Sequence, residues 1–195
     1  MNLPNKLTVL RVILVPFFMF FLMAGFVPHN YLIAMVIFGI ASYTDFLDGK
    51  IARRDGLVTD FGKFMDPLAD KIMVMSALIC FVSLGLTNVW LVSLIMFREF
   101  AVTSVRLVAA SKGTVIAANN LGKAKTISQI VAILVIMALQ YVLKLSKYGL
   151  FVLPHVFTTT FYVTGEIFMG VATFFALFSG FVYIKDNWDA VKQMK

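Results

Sequence analysis

The sequence predicts an all-α polytopic membrane protein, with one domain over residues 1–195, six transmembrane helices and both termini cytoplasmic. Three observations lead there. Hydrophobic residues make up 61% of the chain and charged ones only 14%, against about 25% charged in soluble chains; mean hydropathy is +0.91. The apolar runs are continuous and approach or exceed the roughly 18–20 residues that cross a bilayer as a helix, whereas a membrane barrel would show alternating segments of about ten residues. The basic residues are distributed unevenly between successive connections.

The first span is expected near 7–26, with Lys6 and Arg11 ahead of its apolar run and Pro16 inside it. Such a start is signal-like, but the run is long and lacks a small-x-small cleavage site, so it is read as a retained helix. The break "VPHN" separates it from a second span near 31–47, which runs into a polar stretch after Asp48. A third span near 66–86 ends at "LTN", and a fourth near 88–111 contains Arg98, Glu99 and Arg106. After "SKGTVIAANNLGK" a fifth span near 123–143 opens with Lys123 and Lys125; a sixth near 158–184 follows a segment around Lys144 to Pro154. The single cysteine, Cys80, lies in an apolar run and leaves no disulfide framework.

Orientation follows from the basic residues. The connections from Lys50 to Lys63 and from Ser111 to Lys125, together with both termini, hold most of the 17 Lys and Arg, while "VPHN" and "LTN" have none and only Lys144 and Lys147 fall opposite. Positive residues mark the cytoplasmic side. The net charge of +7 is therefore read as orientation and attraction to anionic membrane lipid, not as a nucleic-acid surface.

Six of the ten acidic residues fall in "SYTDFLDGKIARRDGLVTDFGKFMDPLADK": Asp45, Asp48, Asp55, Asp60, Asp66 and Asp70. An Asp at mid-bilayer costs about 2.5–3.5 kcal/mol, and a Leu or Ile returns only about 0.3–0.6. These acids belong at the cytoplasmic membrane edge, facing a wet or protein-lined cavity. Asp45 and Asp48 are three apart and Asp66 and Asp70 four apart, so on helices each pair shares one face, one turn apart. Like charges so placed repel, and hard divalent cations such as Mg²⁺ or Mn²⁺ relieve the conflict. Two facing pairs suit two ions and phosphoryl displacement. Gly49 and Ala52 leave room beside the helix, Gly62 permits close helix approach, and Arg53 adds a fixed cation. A solvated loop balancing Arg53, Arg54 and Lys63 remains the reading for Asp55 and Asp60.

The spacing Asp45-x2-Asp48-Gly49-x2-Ala52-Arg53-x8-Gly62-x3-Asp66-x3-Asp70 resembles the signature of the CDP-alcohol phosphotransferase family. The resemblance implies a six-helix, metal-dependent membrane enzyme, expected as a homodimer. It further implies one Mg²⁺ or Mn²⁺ on Asp45, Asp48 and Asp66, a second on Asp45, Asp66 and Asp70, and Asp70 as general base. Asn5, Thr8, Gly49, Arg53 and Thr59 match the family's positions for CDP-diacylglycerol. "NLPNKLTVLRVILVP", "DPLADK", "FREFAVTSVRLVAA" and "LGKAKT" resemble the branch of the family whose acceptor is glycerol 3-phosphate. Inositol phosphate, serine or phosphatidylglycerol as acceptor, or a divalent-cation transporter built on the same acids, are the competing readings.

A dianionic acceptor needs cations. Arg98 and Arg106 are eight residues apart, roughly 80° around a helix of 3.6 residues per turn, and an intramembrane Arg is by default a functional candidate. With Lys123 and Lys125 they form the expected acceptor-phosphate set. The alternative is that Arg98 pairs with Glu99 while the lysines only mark the inner face.

Overall fold

In the computed structural model the described residues form six α-helices: α1 (Leu3–Met23), α2 (Asn30–Asp55), α3 (Asp60–Ser83), α4 (Val89–Ser111), α5 (Asn120–Lys147) and α6 (Val156–Asp186). The structure describes residues 3–55, 60–111 and 120–188; the side chains of 3–4, 45–55, 60–68, 70, 110–111 and 120 lie outside that description. No strand occurs among the described residues.

The helix count matches the expected number of spans, and the boundaries differ where hydropathy and hydrogen bonding part company. α2 runs on to Asp55 and α3 already begins at Asp60, so the polar stretch after Asp48 is largely helical. Asp55 and Asp60, read from sequence as loop residues, are the terminal residues of two helices. Backbone bonding has no reason to stop where side chains become polar. α1 continues through Pro16.

Asn5–Met23, Leu121–Lys147 and Val156–Asp186 are long and apolar enough to cross a membrane. The apolar parts of α2 and α3 are shorter, Asn30–Thr44 and Lys71–Ser83, because the rest of each helix bears the acids. α4 holds Arg98, Glu99 and Arg106 within 23 residues. This is an all-helical membrane protein, and its surface agrees: Phe17, Phe97 and Phe181 are 54%, 72% and 68% exposed. Exposed rings of this kind mark a surface that meets lipid or another protein rather than water.

The core joins Phe18 and Leu22 of α1, Phe38 of α2, Leu78 and Phe81 of α3, Ile95 of α4, Ile133 and Met137 of α5 and Met169 of α6. α6 buries a run of mostly small residues, Gly165, Ala172, Thr173, Ala176, Ser179 and Gly180 among them. Small residues let helix backbones approach where lipid offers no hydrophobic drive.

The connections α1–α2, α3–α4 and α5–α6 gather at one end. Lys144 Nζ of α5 donates to the carbonyls of Gly25 (2.9 Å) and Val27 (2.8 Å) and to Asn30 Oδ1 (2.7 Å). Asn30 Nδ2 in turn donates to Leu22 O at 3.2 Å. α3 stops in a Schellman arrangement: Gly85, at φ 67°, donates to Val82 O and Leu86 N–H to Phe81 O. Asn88 Oδ1 then accepts the Trp90 N–H at 2.8 Å and caps α4. α4 and α6 run in the same direction, since Arg98 meets Ala176 and Ser179 while Arg106 meets Tyr183. The C-terminal half of α2, the N-terminal half of α3 and the start of α1 therefore lie at the end opposite these connections.

Candidate active site

The backbone is helical through both acidic pairs. Asp45 and Asp48 are one turn apart on α2, and Asp66 and Asp70 one turn apart on α3, as their spacing requires. Their side chains, with those of Gly49 and Arg53, lie outside the description, and Thr59 lies outside the described residues altogether. Among the described residues no group of three or more His, Cys, Asp or Glu is placed to hold a metal ion.

α1 packs against both α2 and α3 and turns a polar stripe inward at the acidic end. Asn5 is 7% exposed, Thr8 is fully buried and Arg11 is 1% exposed. Spaced by three, they share one side of the helix. Arg11 reaches a small crevice lined by Ser42 of α2, Met73 and Val74 of α3 and Thr126 of α5. Ser42 is one turn before Asp45 and Met73 one turn after Asp70, so this guanidinium is placed about one turn beyond the acidic pairs, towards the core.

A second polar layer joins α3, α4, α5 and α6. Glu99 Oε1 of α4 accepts from Arg98 Nη1 at 3.0 Å and from Lys125 Nζ of α5. Arg98 also spans to α6, donating Nε to Ala176 O at 3.0 Å and Nη2 to Ser179 Oγ at 2.8 Å. A turn further along, Thr103 Oγ1 donates to Glu99 O and accepts from Lys71 Nζ of α3. Lys71 directly follows Asp70, so this contact sets the Asp70 turn of α3 beside α4 between Glu99 and Arg106. Arg106 is exposed; its Nε donates to Tyr183 Oη at 3.2 Å, and its guanidinium lies 5.0 Å from that ring's centroid. Lys71, Glu99, Lys125, Thr126 and Gln129 line one small crevice.

The four expected acceptor cations therefore fall into two groups. Arg98 and Lys125 are buried or nearly so and bridged by Glu99, while Arg106 and Lys123 are exposed. Both arginines face α6, a closer relation than 80° of helix rotation suggests, because long side chains lean round. Sequence reasoning weighed Glu99 only as a partner for Arg98; its bond to Lys125 joins positions 26 residues apart and has no local signal. Tyr183 and Lys71 were missed for the same reason. Arg11 was visible as a charge inside an apolar run.

The CDP-alcohol phosphatidyltransferase family profile matches residues 1–161 of the chain. The chain is 42% identical over 202 aligned positions to the CDP-diacylglycerol–glycerol-3-phosphate 3-phosphatidyltransferase of Bacillus subtilis, covering 98% of this chain and 97% of that protein. Proteins of the same name from Pseudomonas fluorescens and Rickettsia felis are 34% and 32% identical. They cover 98% and 94% of this chain and 93% and 94% of their own lengths.

Proposed function

Because the chain belongs to the CDP-alcohol phosphatidyltransferase family, we propose that it transfers the phosphatidyl group of CDP-diacylglycerol to sn-glycerol 3-phosphate. The products are phosphatidylglycerophosphate and CMP, within anionic phospholipid synthesis. Residues 1–195 form one domain. The relatives' names support the reaction, and one structural observation supports the acceptor. Lys71 is bonded to Thr103, one turn from Glu99, which holds Lys125, and this supports an acceptor whose phosphate meets the cations Lys125 and Arg106 near the Asp70 turn.

Four carboxylates on two helices form a hard-oxygen donor set suited to Mg²⁺ or Mn²⁺. Asp45, Asp48 and Asp66 would hold one ion, and Asp45, Asp66 and Asp70 a second. When bound, such ions neutralise the pyrophosphate and the charge developing on departing CMP. Asn5 and Thr8 on the buried face of α1, with Gly49, Arg53 and Thr59, hold the nucleotide and lipid. Asp70 takes the proton from the acceptor's primary hydroxyl; the oxygen attacks the β-phosphorus, and the bond to CMP breaks. Lys123 and Arg106 meet the dianion at the mouth of the site, Lys125 holds it further in, and Arg98 adds its charge from behind. Arg106 can grip two phosphate oxygens with its planar fork.

The enzyme is a multi-pass protein of the cell membrane with all six helices spanning, both termini and the active site on the cytoplasmic side, and a homodimeric assembly. One substrate is a lipid and the other is soluble, so the site belongs at an interface. The test is CMP release from CDP-diacylglycerol by the purified protein with Mg²⁺ or Mn²⁺ and a panel of acceptors. Glycerol 3-phosphate should support turnover; inositol phosphate, serine, phosphatidylglycerol and uncharged glycerol should not. Equal turnover with glycerol would remove the case for a phosphate pocket.

A further inference from the structure

We propose that Glu99 is a positioning residue for the acceptor phosphate, acting through Lys125; this rests on the acceptor site proposed above. The geometry is unusual for a cation meant for a ligand. Lys125 has four rotatable side-chain bonds and sits in the second turn of α5, from where its ammonium could reach several directions. Instead the Glu99 carboxylate, 9% exposed, draws it onto α4. The same oxygen holds Arg98 Nη1 at 3.0 Å. Arg98 is itself fixed from the other side by Ala176 O and Ser179 Oγ. Glu99 therefore sits between two cations and keeps both in place, while the pair retains one positive charge in excess of it. Thr103, which accepts from Lys71, donates to the backbone carbonyl of Glu99, so the residue that fixes Lys125 is tied to the turn that bears Asp70.

Charge and position make opposite forecasts for this residue. Taken as charge alone, Glu99 opposes a dianion, and neutralising it raises the local positive potential and tightens binding. Taken as a positioning group, its loss lets the two cations repel one another and frees a flexible lysine that must then be ordered by the ligand. The sign of the change in acceptor affinity separates the two.

The experiment measures KM for glycerol 3-phosphate and for CDP-diacylglycerol, with kcat, in Glu99→Gln, Glu99→Asp, Lys125→Ala and the double variant Glu99→Gln/Lys125→Ala. Glu99→Gln keeps the shape and removes the charge; Glu99→Asp keeps the charge and withdraws the carboxylate by one methylene. Both are expected to raise the KM for glycerol 3-phosphate, Glu99→Gln by about tenfold, the scale of one charge-assisted hydrogen bond. The KM for CDP-diacylglycerol should stay within about twofold, and the double variant should be no worse than Lys125→Ala, since groups acting in series are not additive. An unchanged or lowered KM in Glu99→Gln, or additive losses in the double variant, would overturn the positioning role while the acceptor site stands. If one Glu99 variant does not fold, the other decides by the same comparison. An unchanged KM in Lys125→Ala would instead remove Lys125 from the acceptor site, and with it the premise.

Discussion

Gly180→Ala is the smallest change that should disturb the link between α4 and α6. A Cβ at Gly180 would stand 2.8 Å from Arg98 Cγ and 3.2 Å from Arg98 Nε. Carbon atoms pack best at about 3.5–4.0 Å, so one side must retreat by roughly 0.7 Å or more on that scale. The clash falls on the middle of the arginine, whose head is pinned by Glu99, Ala176 and Ser179, so the side chain cannot swing aside without breaking bonds. Overpacking of this kind costs about 1–3 kcal/mol. For a chain of this size each kcal/mol moves Tm by about 2–4 °C, giving a fall of roughly 4–8 °C for a mid-range 2 kcal/mol on the same scale. Gly170→Ala is the matched control on the same helix, because nothing lies within 4 Å of its added Cβ. Thermal unfolding of both variants in detergent is the assay. Gly170→Ala should match the parent or slightly exceed it, and Gly180→Ala should fall below both. Indistinguishable melting curves for the two variants would refute the idea that Arg98 is rigidly seated against α6.

Other expectations follow from the same architecture. Asp45→Asn or Asp66→Asn should abolish CMP release while leaving the melting temperature near that of the parent, because what is lost is ligand charge; near-normal turnover with Mg²⁺ would contradict the metal assignment. Arg106→Ala should raise the KM for glycerol 3-phosphate about ten- to a hundredfold, the worth of a charge-assisted hydrogen bond, and Arg106→Lys should recover only part of it. Lys144→Met leaves two carbonyls and the buried Asn30 side chain without their shared donor, and should cost about 1–3 kcal/mol, read as a lower Tm with unaltered KM values. In a background without Cys80, a cysteine at Val152, 94% exposed, should react with an impermeant maleimide from outside the cell and one at Asp55 only from inside. Asn30 is unsuitable for that purpose, being 1% exposed, and labelling of Asp55→Cys from outside would reverse the orientation.

How far the sequence speaks depends on whether the relevant interaction is local. Helix number, the shared face of each acidic pair and the breaks at "VPHN" and "LTN" are local matters of hydropathy and spacing, and they are legible. Helix ends are less so: hydropathy stops α2 near residue 47, but its hydrogen bonds continue to Asp55. Lys144 broke the charge pattern in sequence because it serves as a staple for the turn between α1 and α2, 114 residues before it in the case of Asn30. Arg98 shows the same limit from within the site. Its pairing with the adjacent Glu99 is legible as a local contact, and its hold on α6 is not, because Ser179 is 81 residues away and looks like any small residue of a membrane helix.

That hold on α6 bears on how the protein is made. A helix emerging from the ribosome with Arg98, Glu99 and Arg106 in its length partitions poorly into lipid, since each central charge costs about 2.5–3.5 kcal/mol to insert. The groups that satisfy these charges arrive later: Lys125 with α5, then Ala176, Ser179 and Tyr183 with α6. On its own, α4 therefore leaves Arg98 and Arg106 without the α6 groups that hold them, and these contacts form only once the final helix has been made. A chain cut short after the fifth helix would keep every acidic residue of the reaction centre and still leave Arg98 and Arg106 without their α6 partners. The last helix to be made is thus the one that completes the partners of both arginines.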